Sequence, residues 1–342
     1  MASSDSLQIG SPNGNRLSDH IDEPGDEPLA AKQHYWRAAG LLLTTIFTTL
    51  LAGAQLQSDF INNQPMFAFS HGVLPLGWIW QQPSRLLLGV PFSATLMLIL
   101  FSHEMGHFVA CRRYGVQATL PYFIPVPWPI GTLGAFIRIL SPFPTREALF
   151  DIGIAGPIAG FLVAVPALVA GLALSKIDPL LVGASELHLE YPAIFHLVRL
   201  GEQIHWPMNA IYLHPVAVAA WIGMLATSLN LLPGGQLDGG HIFYAVWPRA
   251  HRHVTRILTV ALLAMGLWLW AGWLVWFGML LVFGGYHPSV PEYPGLSRER
   301  KWLAVFALVM FALTFMPAPL PNNRIDWHKA RQGMDAVRGW LR

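Results

Sequence analysis

Two histidines and a glutamate lie close together inside an otherwise apolar stretch of the chain, at His103, Glu104 and His107. On an α-helix, residues four apart share one face, so the two imidazoles can bind one metal ion. Glu104 lies one step round the helix from His103, where its carboxylate can take a proton from a water molecule beside that ion. This HExxH pattern therefore predicts two zinc ligands and a general base.

The segment around this motif, residues 86–111, is long and apolar enough to cross a bilayer at a rise of about 1.5 Å per residue. Charged and polar side chains are costly at that depth, so their presence favours a functional interpretation. The alternative is a polar cluster that bonds neighbouring helices to one another. We interpret the motif as a candidate active site for two reasons. Its spacing matches a metal-binding pattern, and it lies in an apolar segment where polar side chains are costly.

The composition is that of a polytopic membrane protein. Of the 342 residues, 54% are hydrophobic and only 12% are charged, with a net charge of +2. This near-balance gives no indication of nucleic-acid binding, so the basic residues are used to predict the membrane topology. The single cysteine, Cys111, excludes an internal disulfide and is predicted to be a core or interface residue rather than a metal ligand.

Five apolar segments predict membrane-spanning helices, and a sixth, 257–285, fits either one tilted span or a pair of short helices. The five are 38–54, 86–111, 150–175, 214–232 and 302–315. The expected fold class is therefore an all-α polytopic membrane protein with about six to seven transmembrane helices.

The chain is expected to contain one membrane domain between two tails. Residues 1–34 are rich in polar residues, glycine and proline, which predicts a disordered N-terminal tail. The transmembrane domain that carries the metal motif is expected at 35–320, with its core at 86–287. Residues 321–342 form the predicted C-terminal tail.

The prolines in residues 114–148 prevent a spanning helix there. Alternation of residue types over 131–139 predicts a short membrane-embedded β-hairpin or loop beside the metal motif. An exposed strand edge at that place could pair with an extended peptide. The alternative is a plain interfacial loop.

A catalytic zinc ion with two histidine ligands needs a third protein ligand and an open coordination position. Asn230 and Asp238 flank a Pro/Gly-rich break at the end of an apolar segment, and Asp238 is the predicted third ligand, held on irregular backbone. The alternative for Asp238 is a turn or helix-cap aspartate. His241 is predicted not to bind the ion, since a fourth protein ligand would fill the open position.

Three blocks of the sequence resemble the site-2 protease family of intramembrane zinc metalloproteases. They are HEMGH at 103–107, AGPIAG at 155–160 and NLLPGGQLDGG at 230–240. The blocks at 131–136 and 235–240 look most like bacterial relatives of the plastid EGY-type branch. Gly160 departs from the pattern, because many members have asparagine there.

This resemblance implies a role for each candidate site residue. His103, His107 and Asp238 would bind one Zn²⁺ per chain. Glu104 would act as the catalytic base, and Asn230 would help to hold the oxyanion.

The motifs and the resemblance together predict a zinc metalloendopeptidase that hydrolyses peptide bonds within or near transmembrane segments of other membrane proteins. One alternative is a non-catalytic zinc-containing membrane receptor or chaperone, although a structural zinc site would not need Glu104. A second is a metal-ion or proton transporter, which would place acidic residues and histidines through successive spans rather than at one level. A third is a prenyl-protein protease, for which the third ligand would be expected on a glutamate-bearing helix.

Basic residues predict the orientation of the chain in the membrane. Lys32 and Arg37 precede the first span and favour a cytoplasmic N-terminus, so Arg112 and Arg113 mark the cytoplasmic end of the second span. The protein is therefore predicted to be a multi-pass protein of a bacterial inner membrane, with its active site nearer the cytoplasmic side. Its expected partners are transmembrane protein substrates and the lipid bilayer, and not nucleic acid.

Overall fold

A computed structural model describes residues 35–322 of the chain, apart from 69, 73, 128, 186, 284–289 and 291–294. The predicted tail at 1–34 and most of the predicted tail at 321–342 lie outside the described residues. Within them the chain is mainly helical, with eleven α-helices. In chain order, α1 to α11 are Tyr35–Ile61, Leu76–Gln81, Val90–Arg113, Arg146–Ala173, Pro179–Ala184, Ala193–Gly201, Pro215–Asn230, Asp238–Val246, Pro248–Trp268, Trp273–Phe283 and Arg298–Thr314.

Three helical segments among the described residues are long and apolar enough to cross a membrane: Tyr35–Ile61, Pro83–Arg113 and Arg146–Ala173. They correspond to α1, to α3 with the 3₁₀ helix Pro83–Gly89 that precedes it, and to α4. Helices α7 and α10 are shorter and also apolar. The prediction of a mainly helical chain with apolar helices suited to a membrane is thus confirmed.

Helix α1 continues seven residues beyond the predicted segment 38–54, because the polar residues that suggested its end find partners inside the protein. The Gln55 side-chain amide donates to the Gly72 carbonyl at 3.1 Å. The Asp59 carboxylate accepts from the Ser70 hydroxyl at 3.2 Å. Buried polar groups that have hydrogen-bond partners can lie within a long helix. A hydropathy pattern shows that these residues are polar but not that they have partners, so it places the end of the helix too early.

Within the apolar segment 257–285, the described residues 257–283 are divided between two helices, α9 and α10, which are joined by a tight turn. The indole N–H of Trp273, the first residue of α10, donates to the Pro317 carbonyl at 2.8 Å. The Trp273 side chain is fully buried, so this bond anchors the second helix against the chain that follows α11. Of the two interpretations of the segment, the structure shows the pair of helices.

A short antiparallel strand pair follows α3. Strand β1, Tyr122–Pro125, pairs with β2, Thr132–Phe136. The turn between them rests on α1, where the Thr48 hydroxyl donates to the Gly131 carbonyl at 2.6 Å. A second pair, β3 (Lys176–Ile177) and β4 (Ile211–Tyr212), lies at the far end of α4.

An ionic cluster joins the N-terminus of α11 to α4. The Arg300 guanidinium lies 2.8 Å from the Glu147 carboxylate and 2.9 Å from that of Asp151. The Tyr114 hydroxyl, just beyond the end of α3, also donates to Asp151. Charge-assisted bonds of this kind therefore connect three helices at one end of the bundle.

Candidate metal centre

Helix α3 places both predicted histidine ligands on one buried face. His103 and His107 are 5% and 6% exposed, and their Nε2 atoms lie 3.2 Å apart. Glu104 is 6% exposed beside them. The helical spacing of the motif therefore positions these side chains as the sequence suggests.

Asp238 reaches the two histidines from the first position of α8. Its Oδ2 atom lies 3.1 Å from His103 Nε2 and 3.2 Å from His107 Nε2. The prediction of irregular backbone at Asp238 is wrong, because Leu237 is extended and serves as the N-cap of a helix that begins at Asp238. The predicted meeting of the carboxylate with both imidazoles is observed.

The three donor atoms have the spacing that one small cation requires. Ligands about 2.0–2.2 Å from a tetrahedral ion are separated by roughly 3.3–3.5 Å. The observed separations of 3.1–3.2 Å are close to this value. Among the described residues, this trio is the group of histidine, cysteine and acidic side chains that could hold a metal ion.

The hydrogen bonding of His107 fixes which of its ring nitrogens faces His103 and Asp238. Its Nδ1 lies 2.7 Å from the Ile152 carbonyl, which can only accept, so Nδ1 carries the hydrogen. The neutral ring then presents the Nε2 lone pair to Asp238 and His103, as a metal ligand must. Two imidazole nitrogens and one carboxylate oxygen are donors that zinc binds, so this set fits zinc.

Close packing of α4 against α3 makes room for the His107 ring. A Cβ atom added at Gly156 would lie 2.0 Å from His107 Nε2. The same addition at Gly160 would lie 3.2 Å from the His103 ring. The glycines of the AGPIAG block therefore admit the two imidazoles between the helices, as expected for small residues at a helix interface.

Glu104 and Asn230 share one cavity of about 190 Å³ with the trio. Asn230, the last residue of α7, has its amide nitrogen 3.2 Å from His103 Nε2. The Glu104 carboxylate hydrogen-bonds the backbone of Ile137, just beyond β2. All five predicted site residues therefore meet at this cavity.

The strand region supplies one wall of the cavity. The lining residues that it contributes are Ala135, Phe136, Ile137 and Ile139. His241 also lines the cavity but is outside the group that could hold an ion. The fully buried Cys111 packs with Val116, Ala118 and Ile152, as expected of a core residue.

Two supporting contacts were missed from the sequence. The Ile152 carbonyl orients His107, and the Ile137 backbone contacts Glu104. Every residue type carries the same backbone groups, so no sequence pattern could have identified these two positions.

Helices suited to a membrane, together with two buried histidines and a partly buried aspartate beside a glutamate, define an integral membrane protein with a candidate metallopeptidase centre. Residues 91–271 match the sequence model of the family described as Peptidase family M50. The chain belongs to this family.

Plant proteins are among its relatives. The "Probable zinc metalloprotease EGY2, chloroplastic" of Arabidopsis thaliana is 30% identical over 86% of this chain and 51% of its own length. "Probable zinc metalloprotease EGY1, chloroplastic" of the same species is 29% identical over 88% of this chain and 56% of its own length. The rice EGY1 protein (Oryza sativa subsp. japonica), also named a probable zinc metalloprotease, is 29% identical over 67% of this chain and 40% of its own length. The chain thus spans about half the length of the curated relatives that it matches.

Proposed function

We propose that this protein is a zinc metalloprotease that hydrolyses peptide bonds within or near transmembrane segments of other membrane proteins. The observation that carries the proposal is the convergence of His103, His107 and Asp238 at a cavity that also contains Glu104. Membership of Peptidase family M50 and the names of the zinc metalloprotease relatives support it.

One Zn²⁺ per chain would be held by His103, His107 and Asp238. Bound zinc supplies a Lewis acid, which acidifies water and polarises a carbonyl group. Glu104 takes the proton of the attacking water and passes it to the leaving amine. The Asn230 amide, next to His103, donates to the developing oxyanion.

The free edge of β2 is the proposed binding place for the cleaved segment. The Arg138 backbone faces the β1 side, since its carbonyl accepts from the Thr119 N–H and its N–H donates to the Thr119 hydroxyl, both at 3.0 Å. Alternate residues of a strand face opposite edges, so Ala135 and Ile137 direct their backbone groups away from β1, towards the cavity. A substrate helix must unwind to expose its carbonyl groups, and pairing with this edge would hold it extended.

The proposed setting is a membrane domain at 35–320, with its core at 86–287, in which six to seven helices enclose a membrane-embedded β-hairpin. Non-helical backbone at membrane depth is tolerated where protein or a wet cavity covers it, and the cavity beside β2 meets this condition. The exposed basic residues Arg112 and Arg113 end α3 and favour an active site nearer the cytoplasm. The bacterial inner membrane stays a prediction, and the relatives named above are chloroplastic.

The alternative functions account less well for the site. A receptor or chaperone with structural zinc has no use for a buried glutamate in the cavity beside the ligands. A transporter needs a chain of polar groups across the bilayer, whereas the predicted ligands and Glu104 gather at one level.

The test is Glu104→Gln in the full chain, with Glu299→Gln as a control at an exposed acidic position. We expect Glu104→Gln to retain zinc, measured by elemental analysis, and to lose cleavage of single-span membrane proteins by at least roughly 100-fold, the lower part of the range for a general acid–base group. The control should cleave normally. Full cleavage by Glu104→Gln would refute the assignment, and absence of zinc from the wild-type chain would refute the metal centre.

A further inference from the structure

Helix α9 supports the loop that carries Asp238 into the metal centre. The Thr255 hydroxyl accepts a hydrogen bond from the Gly235 backbone N–H at 3.2 Å. One turn earlier on the same helix, His251 forms a hydrogen bond with the backbone of Gly235. Thr255 and His251 are 6% and 4% exposed, so both contacts are shielded from water. Two side chains of α9 thus hold the backbone of one loop residue, Gly235.

The other side of the loop touches the first turn of α8 directly. A Cβ atom added at Gly240 would lie 2.5 Å from the Gly235 carbonyl oxygen, and one added at Gly239 would lie 2.0 Å from that of Leu231. No side chain fits between these backbones, so the loop and the first turn of α8 are in direct contact. This contact links Gly235 to the turn that begins at Asp238.

We infer that Thr255 and His251 are positioning residues for the third metal ligand. They fix the Gly235 backbone, which fixes the first turn of α8 and with it the distance from Asp238 Oδ2 to the two imidazoles. This inference rests on the proposed metal centre. It assigns to α9 a role in metal affinity, although neither side chain belongs to the trio that could hold the ion.

A purely structural role would give a different result. If Thr255 served only to satisfy a buried N–H group, its loss would lower the stability of the fold and leave the zinc affinity of the folded protein unchanged. Zinc affinity and stability must therefore be measured separately.

The experiment compares Thr255→Val with Thr259→Val in the purified full chain. Thr259 lies one turn further along α9, and its hydroxyl donates to the Thr255 carbonyl of its own helix at 2.8 Å. Both substitutions replace a hydroxyl by a methyl group on the same helix, but the Thr255 hydroxyl bonds the loop whereas the Thr259 hydroxyl bonds its own helix. Thr255→Ser retains the hydroxyl and serves as the rescue variant.

Zinc affinity is measured by competition with a chelator, and stability by thermal unfolding of the zinc-free protein. We expect Thr255→Val to bind zinc about 10-fold more weakly, the low end of the range for groups behind a metal ligand. Its kcat should fall at unchanged KM, because the site is displaced while the substrate edge is intact. Thr255→Ser and Thr259→Val should stay near the wild-type values.

A second variant, His251→Phe, keeps an aromatic ring against Tyr244, whose ring centroid lies 5.4 Å from that of His251, and removes the contact with Gly235. It should also weaken zinc binding, and it decides the question if Thr255→Val does not fold. Zinc affinities equal to that of Thr259→Val in the folded variants would overturn the inference while leaving the metal centre intact. A wild-type chain without zinc would instead overturn the metal centre, and this inference with it.

Discussion

The His107 ring is held from two directions by groups of α4. Its Nδ1 donates to the Ile152 carbonyl at 2.7 Å, and its Nε2 occupies the space that Gly156 leaves by lacking a side chain. A ligand fixed on both sides binds metal without having to be ordered first. The position of the His107 ring therefore depends on the missing side chain at Gly156 as well as on the Ile152 carbonyl.

Gly156→Ala is predicted to damage the candidate metal centre. The new methyl group would lie 2.0 Å from His107 Nε2, and the ring cannot turn away without losing its bond to Ile152. We expect zinc affinity, measured by chelator competition, to fall on the order of 100-fold.

The control for this substitution is Gly40→Ala, since a Cβ atom at Gly40 of α1 would meet no atom within 4 Å. This control should retain zinc and should not destabilise α1, because alanine favours a helix more than glycine does. Gly156→Ala binding zinc as tightly as the wild-type chain would show that the His107 ring is not confined as described.

The sequence allowed some of these residues to be predicted and not others, for a physical reason. His103, Glu104 and His107 are identified by local helical spacing, which a linear sequence displays directly. Asp238 is recognisable by the Pro/Gly-rich break before it. Thr255 meets the loop only because the chain folds back on itself, which the local sequence does not show. A threonine in an apolar helix does not indicate such a contact, because its hydroxyl can bond the preceding turn of its own helix.

At the scale of elements, the free edge of β2 is proposed to bind the substrate rather than the metal. Ala135→Pro is predicted to raise KM several-fold, since proline removes the N–H group that an extended peptide would use. The zinc content should be unchanged, because none of the three predicted ligands belongs to this strand. The measurement is cleavage rate against substrate concentration, with zinc analysis of the same sample.

Ala135→Val is the matched control for this strand, because it adds bulk at the same position and keeps the backbone N–H. It should leave KM closer to the wild-type value than proline does. Equal KM values for the proline variant and the wild-type chain would exclude pairing of the substrate with this edge at Ala135.

Helix boundaries were less predictable than the apolar segments themselves. The Pro/Gly-rich break before Asp238 predicts irregular backbone there, and the two glycines directly after it also disfavour a helix. The structure starts α8 at Asp238, because the absence of side chains at Gly239 and Gly240 lets this turn contact the loop backbone closely. Tertiary packing overrides the local helix propensity at Asp238. The sequence around Asp238 carries no information about this packing.

At the scale of the whole molecule, the metal centre lies nearer one end of the helix bundle. His107 precedes the end of α3 at Arg113 by six residues, or about 9 Å along the helix. The ionic cluster of Arg300, Asp151 and Glu147 lies at this same end, at the start of α4. The segment with β3 and β4 follows the other end of α4, a helix of 28 residues or about 42 Å.

This arrangement predicts the sides from which two introduced cysteines react. Cys111 is fully buried and is replaced by serine to give a background without cysteine. Arg113 and His205 are both exposed, and α4 separates them along the chain. In sealed vesicles, a membrane-impermeant maleimide should label Arg113→Cys from the cytoplasmic face and His205→Cys from the opposite face, because basic residues at the end of α3 favour the cytoplasm. Labelling of both from one face would contradict a membrane crossing by α4, and labelling in the reverse order would place the metal centre nearer the outer side.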